Sequence, residues 1–208
     1  MKLYSKLATA LLAVICLAMP FFSCGRTAEV SENEETDINY SDIDISEYID
    51  SVTYKGLTVF LENEDSSKED ALWNELLQNV EIIDYPEDKV RYYFEQEKAA
   101  YMYLVNGDED SYKTFLKVRG ITEEDMLDDA KEMVAKDLIY RLVAQKEEIS
   151  VTDEEKKALF DRYVEKYVEE FGYGKSYVTA NMNELIYESM LYDKTMEYLI
   201  LNNNFEIK

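Results

Sequence analysis

The stretch Gly120–Glu155, GITEEDMLDDAKEMVAKDLIYRLVAQKEEISVTDEE, decides the fold. Gly120 stands where a helix ending at Arg119 needs a residue free to turn left-handed. Thr122 with Asp125 then opens the longest clear helix. Its seam reads Leu127, Ala130, Val134, Leu138 and Leu142, the spacing of one helical face. Thr152 with Glu155 forms the capping-box pattern for another helix, in which Leu159, Tyr163 and Tyr167 share a face as far as Gly172. Two capped helices in series, with only a short turn between them, predict a mostly α chain.

Working outward, the same signals recur. Ser66 with Glu69 predicts a cap, and Ala71, Leu72, Leu76 and Val80 trace the apolar side behind it. VEIID is a short extended run closed by Tyr85-Pro86, and Pro86 suits a first helical turn, where its missing N–H costs nothing. That helix runs to about Val105, with Val90, Phe94, Tyr101 and Leu104 among its apolar positions, and Asn106-Gly107 breaks it. A short helix is expected over Ser111–Arg119. A final one, about Thr179 to Asn203, buries Met182, Leu185, Ile186, Met190, Met196 and Leu199. Strand-like runs stand near both ends: VTYKGLTVFL (Val52–Leu61) and the terminal FEIK.

The first residues read as targeting, not fold. MKLYSK carries Lys2 and Lys6, and Leu7–Phe22 holds no charge, the pattern of a signal peptide. FFSC follows, and a small residue directly before Cys24 looks like a lipobox, although Phe21 and Phe22 replace the usual Leu and Ala or Ser. The expected organisation is a lipoprotein signal at 1–23, an acidic flexible tether at 24–50 with Cys24 as lipid anchor, and a helical domain at 51–208. The tether assignment rests on nine acids and no base between Glu29 and Asp50. The acids of SDIDISEYID lack the central Gly and closing Glu of a calcium loop, so no metal site is expected there.

Composition excludes several functions. The net charge of −23 repels nucleic acid and anionic headgroups. The chain has no histidine, and Cys16 leaves with the signal. His/Cys zinc sites and His-assisted nucleophiles are therefore ruled out, and so is a disulfide in the mature chain. Its six glycines form no phosphate-binding fingerprint, so no nucleotide is expected. Eighteen tyrosines are more than a bundle needs, and RYYFEQEKAAYMYL (Arg91–Leu104) sets them nearly all round one helix. Tyrosine pairs a large apolar face with a polar tip, which suits adaptable contact with irregular segments. The other reading is bulky core filler.

From Tyr85 onward the sequence resembles the C-terminal chaperone domain of trigger factor, whose helical core is related to SurA-like peptide-binding domains. The residues that carry the resemblance are an ordered series. IIDYPEDKVRYYFEQ looks like the start of that domain's first long helix, FLKVRG…RYVEKY (Phe115–Tyr167) like its central helices, and DKTMEYLILNNNFEIK like its closing helix and strand. Glu148 departs from the pattern, since the family often has glycine there. In front, YKGLTV and ALWNELLQNVEIIDYPEDKV resemble the segments flanking that family's FKBP-type prolyl isomerase domain. Here the two are joined through Glu62–Lys68. Seven residues cannot hold a domain that needs on the order of a hundred. The ribosome-binding domain is missing from the pattern too, and a parvulin isomerase would need histidines.

What the resemblance implies is a mostly α, multi-helix trigger factor C-terminal/SurA-like body with short strands near its ends. It implies an ATP-independent holdase, not an enzyme and without cofactor or metal. The holdase would be extracytoplasmic, lipid-anchored to the cell membrane through Cys24, and would bind unfolded or nascent exported polypeptides. Candidate client contacts are Tyr92, Tyr93, Tyr101, Tyr103, Tyr163 and Tyr167. The alternatives are a dedicated assembly subunit for one envelope protein and, further off, a residual peptidyl-prolyl isomerase. The lone front strand is expected to pack beside VEII or FEIK.

Overall fold

The computed structural model describes Tyr40 and residues 43–208. Cys24, the signal segment and most of the proposed tether lie outside the described residues. The chain is mostly helical. Its elements run β1 (Ile49–Val52), β2 (Thr58–Leu61), α1 (Lys68–Gln78), β3 (Val80–Ile82), α2 (Glu87–Leu104), α3 (Glu109–Arg119) and α4 (Glu123–Lys146). After these come α5 (Asp153–Phe171), α6 (Lys175–Asn181), α7 (Asn183–Leu201) and β4 (Asn204–Ile207). Contacts divide the chain into two units. One, here the arm, comprises Tyr40 and Pro86–Val134; the other, the body, comprises Ile43–Tyr85 and Ala135–Lys208. Helix α4 gives its first half to the arm and its second half to the body.

In the arm, α2 leaves Pro86 at the cap, as its fixed φ favours, and stops at Asn106 and Gly107, both with positive φ (55° and 74°). Asp108 caps α3 through the Ser111 amide, and Gly120 ends it in the left-handed region (φ 67°). Thr122 Oγ1 accepts from the Asp125 amide while Asp125 accepts from the Thr122 amide, the reciprocal cap that the spacing anticipates. Tyr101, Tyr112 and Met126 form the arm's buried cluster, with Phe94, Met102, Val105, Phe115, Leu116 and Ile121 packed around it.

The body is built from both ends of the chain. The front run is not one strand. Gly56 (φ 72°) turns the chain, so β1 and β2 join different sheets. β1 pairs antiparallel with β3, with an irregularity between Ile49 and Ser51, and β2 pairs parallel with β4, Thr58 opposite Asn204 and Leu61 opposite Ile207. Of the front run Val52–Leu61, the strand β2 takes the FEIK partner, whereas the VEI run pairs with β1, which lies almost wholly ahead of the front run. The seam behind β2 is a polar turn held by Asn63, which accepts from the Asp65 amide through Oδ1 and from the Ser66 amide through its carbonyl.

Several expectations need correction. Ser67, not Ser66, caps α1, through the Asp70 amide. The tether does not extend to Asp50: Ile45 and Ile49 are buried, Ile45–Glu47 forms a 3-10 turn and Ile49 starts β1. Acidic neighbours masked isolated apolar residues that still have a core to enter. The last helix is two, α6 and α7, interrupted at Met182 (φ −119°, ψ 20°). On α4 the buried face begins at Met126, while Leu127 is exposed, and Leu104 at the end of α2 is exposed too.

Candidate polypeptide-binding surface

The six candidate tyrosines fall in both units. In the arm, Tyr93 and Tyr101 are buried, Tyr92 is half-buried with its ring edge-on to Tyr93 at 5.3 Å, and Tyr103 is 68% exposed. In the body, Tyr167 is buried with its hydroxyl 2.7 Å from Ser189 Oγ, and the half-buried Tyr163 donates to Asp193 at 2.6 Å. Only Tyr103 of the six presents most of its surface to solvent.

In the body four further tyrosines bond to acids. Tyr54 and Tyr198 both donate to Glu147, which also pairs with Lys55 Nζ at 2.7 Å. Those donors favour the ionised carboxylate, Lys55 most, and hold Glu147 down at about 2. Tyr192 accepts from Trp73 Nε1 at 2.9 Å and donates to Glu69 at 2.5 Å, its ring edge-on to Tyr140 at 5.3 Å. Tyr140 donates to Glu188 at 3.1 Å, and Arg141 reaches the same oxygen at 2.7 Å. Each of these phenols buries a large ring and still donates a hydrogen bond to one of the chain's many acids. In the body tyrosine therefore acts as a tie between elements.

Exposed apolar side chains occur in both units, with Phe60, Ile83, Tyr177, Leu201 and Ile207 in the body and four in the arm. Tyr103 and Leu104 (53% exposed) end α2, Val118 (79%) sits near the end of α3, and Leu127 lies on α4. Along α3 runs a shallow, open depression of about 420 Å³, lined by Phe115 and Val118 with Asp110, Ser111, Thr114 and Arg119. The Arg119 guanidinium lies over the Phe115 ring at 5.5 Å, so one side chain offers both cation and stacking face. Phe115 also touches Tyr101 at 5.5 Å, which ties this surface to the arm's core. The lining mixes the apolar Phe115 and Val118 with polar and charged side chains. Among the described residues no three acids or cysteines gather as a metal site.

Sequence reasoning passed over Leu104, Val118 and Leu127 as surface, because a periodic pattern assigns apolar residues to a core by default. Val118 had a signal: it stands between Lys117 and Arg119 on a mostly polar helix. Glu97 was missed as well. It lies in the arm on the side of Phe94 and Tyr101, is only 3% exposed, and accepts from the Tyr101 hydroxyl at 2.7 Å. Its spacing from both residues, three and four along a helix, is the sign that could have found it.

No family model, no curated protein and no solved structure matches the chain. Among the described residues no helix is long and apolar enough to cross a membrane.

Proposed function

We propose that this chain is a membrane-tethered, extracytoplasmic holdase that binds unfolded polypeptides without nucleotide. The observation that carries the reading is the arm's exposed set of Tyr103, Leu104, Val118 and Leu127, together with the open Phe115–Val118 depression. Exposed apolar area of this kind gains about 25 cal/mol for each Å² it covers, and contacts of that kind are non-directional and reversible. Unfolded segments of many sequences suit such a surface, and the chain's −23 charge favours basic ones while keeping the open arm soluble. The resemblance of the helical series to trigger factor's chaperone domain supports the same reading, as does the short polar turn at Glu62–Lys68 where that family carries its isomerase. The signal and Cys24 supply the address and anchor.

The test is aggregation of a chemically unfolded protein in the presence of the chain. Suppression at a few-fold excess is expected, and the double variant Leu104→Glu/Val118→Glu should lose most of it while keeping its melting temperature. No suppression by the unaltered chain would sink the reading. Capture of one stoichiometric envelope protein would favour a dedicated assembly subunit, and measured prolyl cis/trans acceleration would favour the isomerase.

A further inference from the structure

Glu97 is an unusual residue to find inside so small a core. One carboxyl oxygen takes the Tyr101 hydroxyl at 2.7 Å; the other is buried with no hydrogen-bond partner. A buried carboxylate left half-satisfied costs far more than the neutral acid in the same place. The groups that face it offer no relief. Helix α2 itself supplies the Tyr101 phenol, α3 supplies the Tyr112 phenol, and α4 supplies Asp125 and Asp129. Glu95, Glu109 and Glu123 act on Tyr112 beside it. None of these groups is a cation.

We propose that Glu97 is a proton-operated latch on the arm: protonated, it lets α2 close on α3 and α4; ionised, it drives the arm open and bares the Tyr101–Tyr112–Met126 core. This rests on the reading that the arm receives unfolded chains, since the bared core extends the same apolar surface through Phe115. Burial first, then Asp129 and Asp125, raise the carboxyl from 4.5 to about 7, against the lowering effect of the Tyr101 hydrogen bond. In the open arm the group titrates as an ordinary glutamate. The closed arm therefore holds its full advantage below 4.5, loses it as pH rises, and has none left above about 7. Opening becomes more favourable over that interval by on the order of a hundredfold.

Amide hydrogen exchange of the full chain, corrected for intrinsic rates and measured at mildly acidic and mildly alkaline pH, reads the latch directly. Arm amides between 87 and 134 should open tens of times more readily at the alkaline value, and Glu97→Gln should abolish the difference. Equal protection at both pH values, or a Glu97→Gln chain that keeps the difference, overturns the proposal. Should Glu97→Gln not fold, Asp129→Asn must move the transition to lower pH, and an unmoved transition overturns it equally. Aggregation suppression run in parallel separates the two readings. Suppression without the exchange switch removes the latch alone; the exchange switch without suppression at either pH removes the chaperone reading alone.

Discussion

The arm and the body treat their acids in opposite ways. Glu97 in the arm sits among apolar rings and other acids and is pushed up to about 7. Glu147 in the body sits among Lys55, Tyr54 and Tyr198 and is held at about 2, and Glu155 is held there too, by Lys194 Nζ at 2.7 Å and the Thr152 amide. The cores differ in the same direction. Of the twelve largest fully buried side chains, ten belong to the body and only Met126 and Val134 to the arm. The comparison teaches that one chain can hold a well-tied unit and a loosely held one, with exposed apolar side chains on both. Regions with few buried contacts open locally at low cost, which is what a binding element needs.

The sharpest break would come from matched truncations. Ile186→Ala in the body and Met126→Ala in the arm should each cost about 3 kcal/mol, because each removes a completely buried side chain. The consequences should differ: Ile186→Ala lowers the global melting temperature, whereas Met126→Ala strips exchange protection from the arm and leaves the body's amides protected. If Met126→Ala melts the whole chain in one step, the two units are not separable in stability. Next comes Tyr192→Phe, which leaves Trp73 Nε1 without its acceptor and Glu69 without its donor. The expected loss is about 1–2 kcal/mol, read by denaturant unfolding at constant m-value. Acidification should then pull the units apart. Glu147 and Glu155 lie below their ordinary 4.5 when folded, so their stabilisation is complete above 4.5 and lost as pH falls toward 2. The arm gains stability as pH falls from 7 to 4.5, and exchange followed region by region should show the two opposite slopes. The smallest effect belongs to Glu148, which adopts φ 53° between α4 and α5. Glu148→Gly removes that strain and should raise stability by about 0.5–1 kcal/mol, measured by thermal melting.

Helix ends were the most legible features in the sequence, because each rests on a few local atoms. Thr122/Asp125, Thr152/Glu155, Gly120 and Gly172 all stand where side-chain chemistry and a positive φ require them. What failed depends on tertiary context. The break at Met182 has no Gly or Pro to announce it, and Ser66 and Ser67 are equal as caps until the turn at Asn63 assigns one of them. Ile45 and Ile49 looked like tether because a composition reading averages over their acidic neighbours, whereas burial acts on each side chain separately. Of the six candidate tyrosines, five are buried or half-buried and only Tyr103 faces solvent. A phenol inside a helix bundle and one facing solvent have the same local pattern, and only the position of an acid such as Asp193 or Glu69 distinguishes them.

The parallel pairing of β2 with β4 has a kinetic consequence. It joins Thr58 to Asn204, so its strands meet only by closing a loop that spans most of the body and all of the arm. Closure of that length is slow, and it comes after the local helical turns have formed. Until residues 204–207 are available, β2 keeps an unpaired edge beside Phe60, which is half exposed even in the finished fold. The chain thus passes through a stage at which it is itself the kind of incomplete, edge-exposing polypeptide that aggregates.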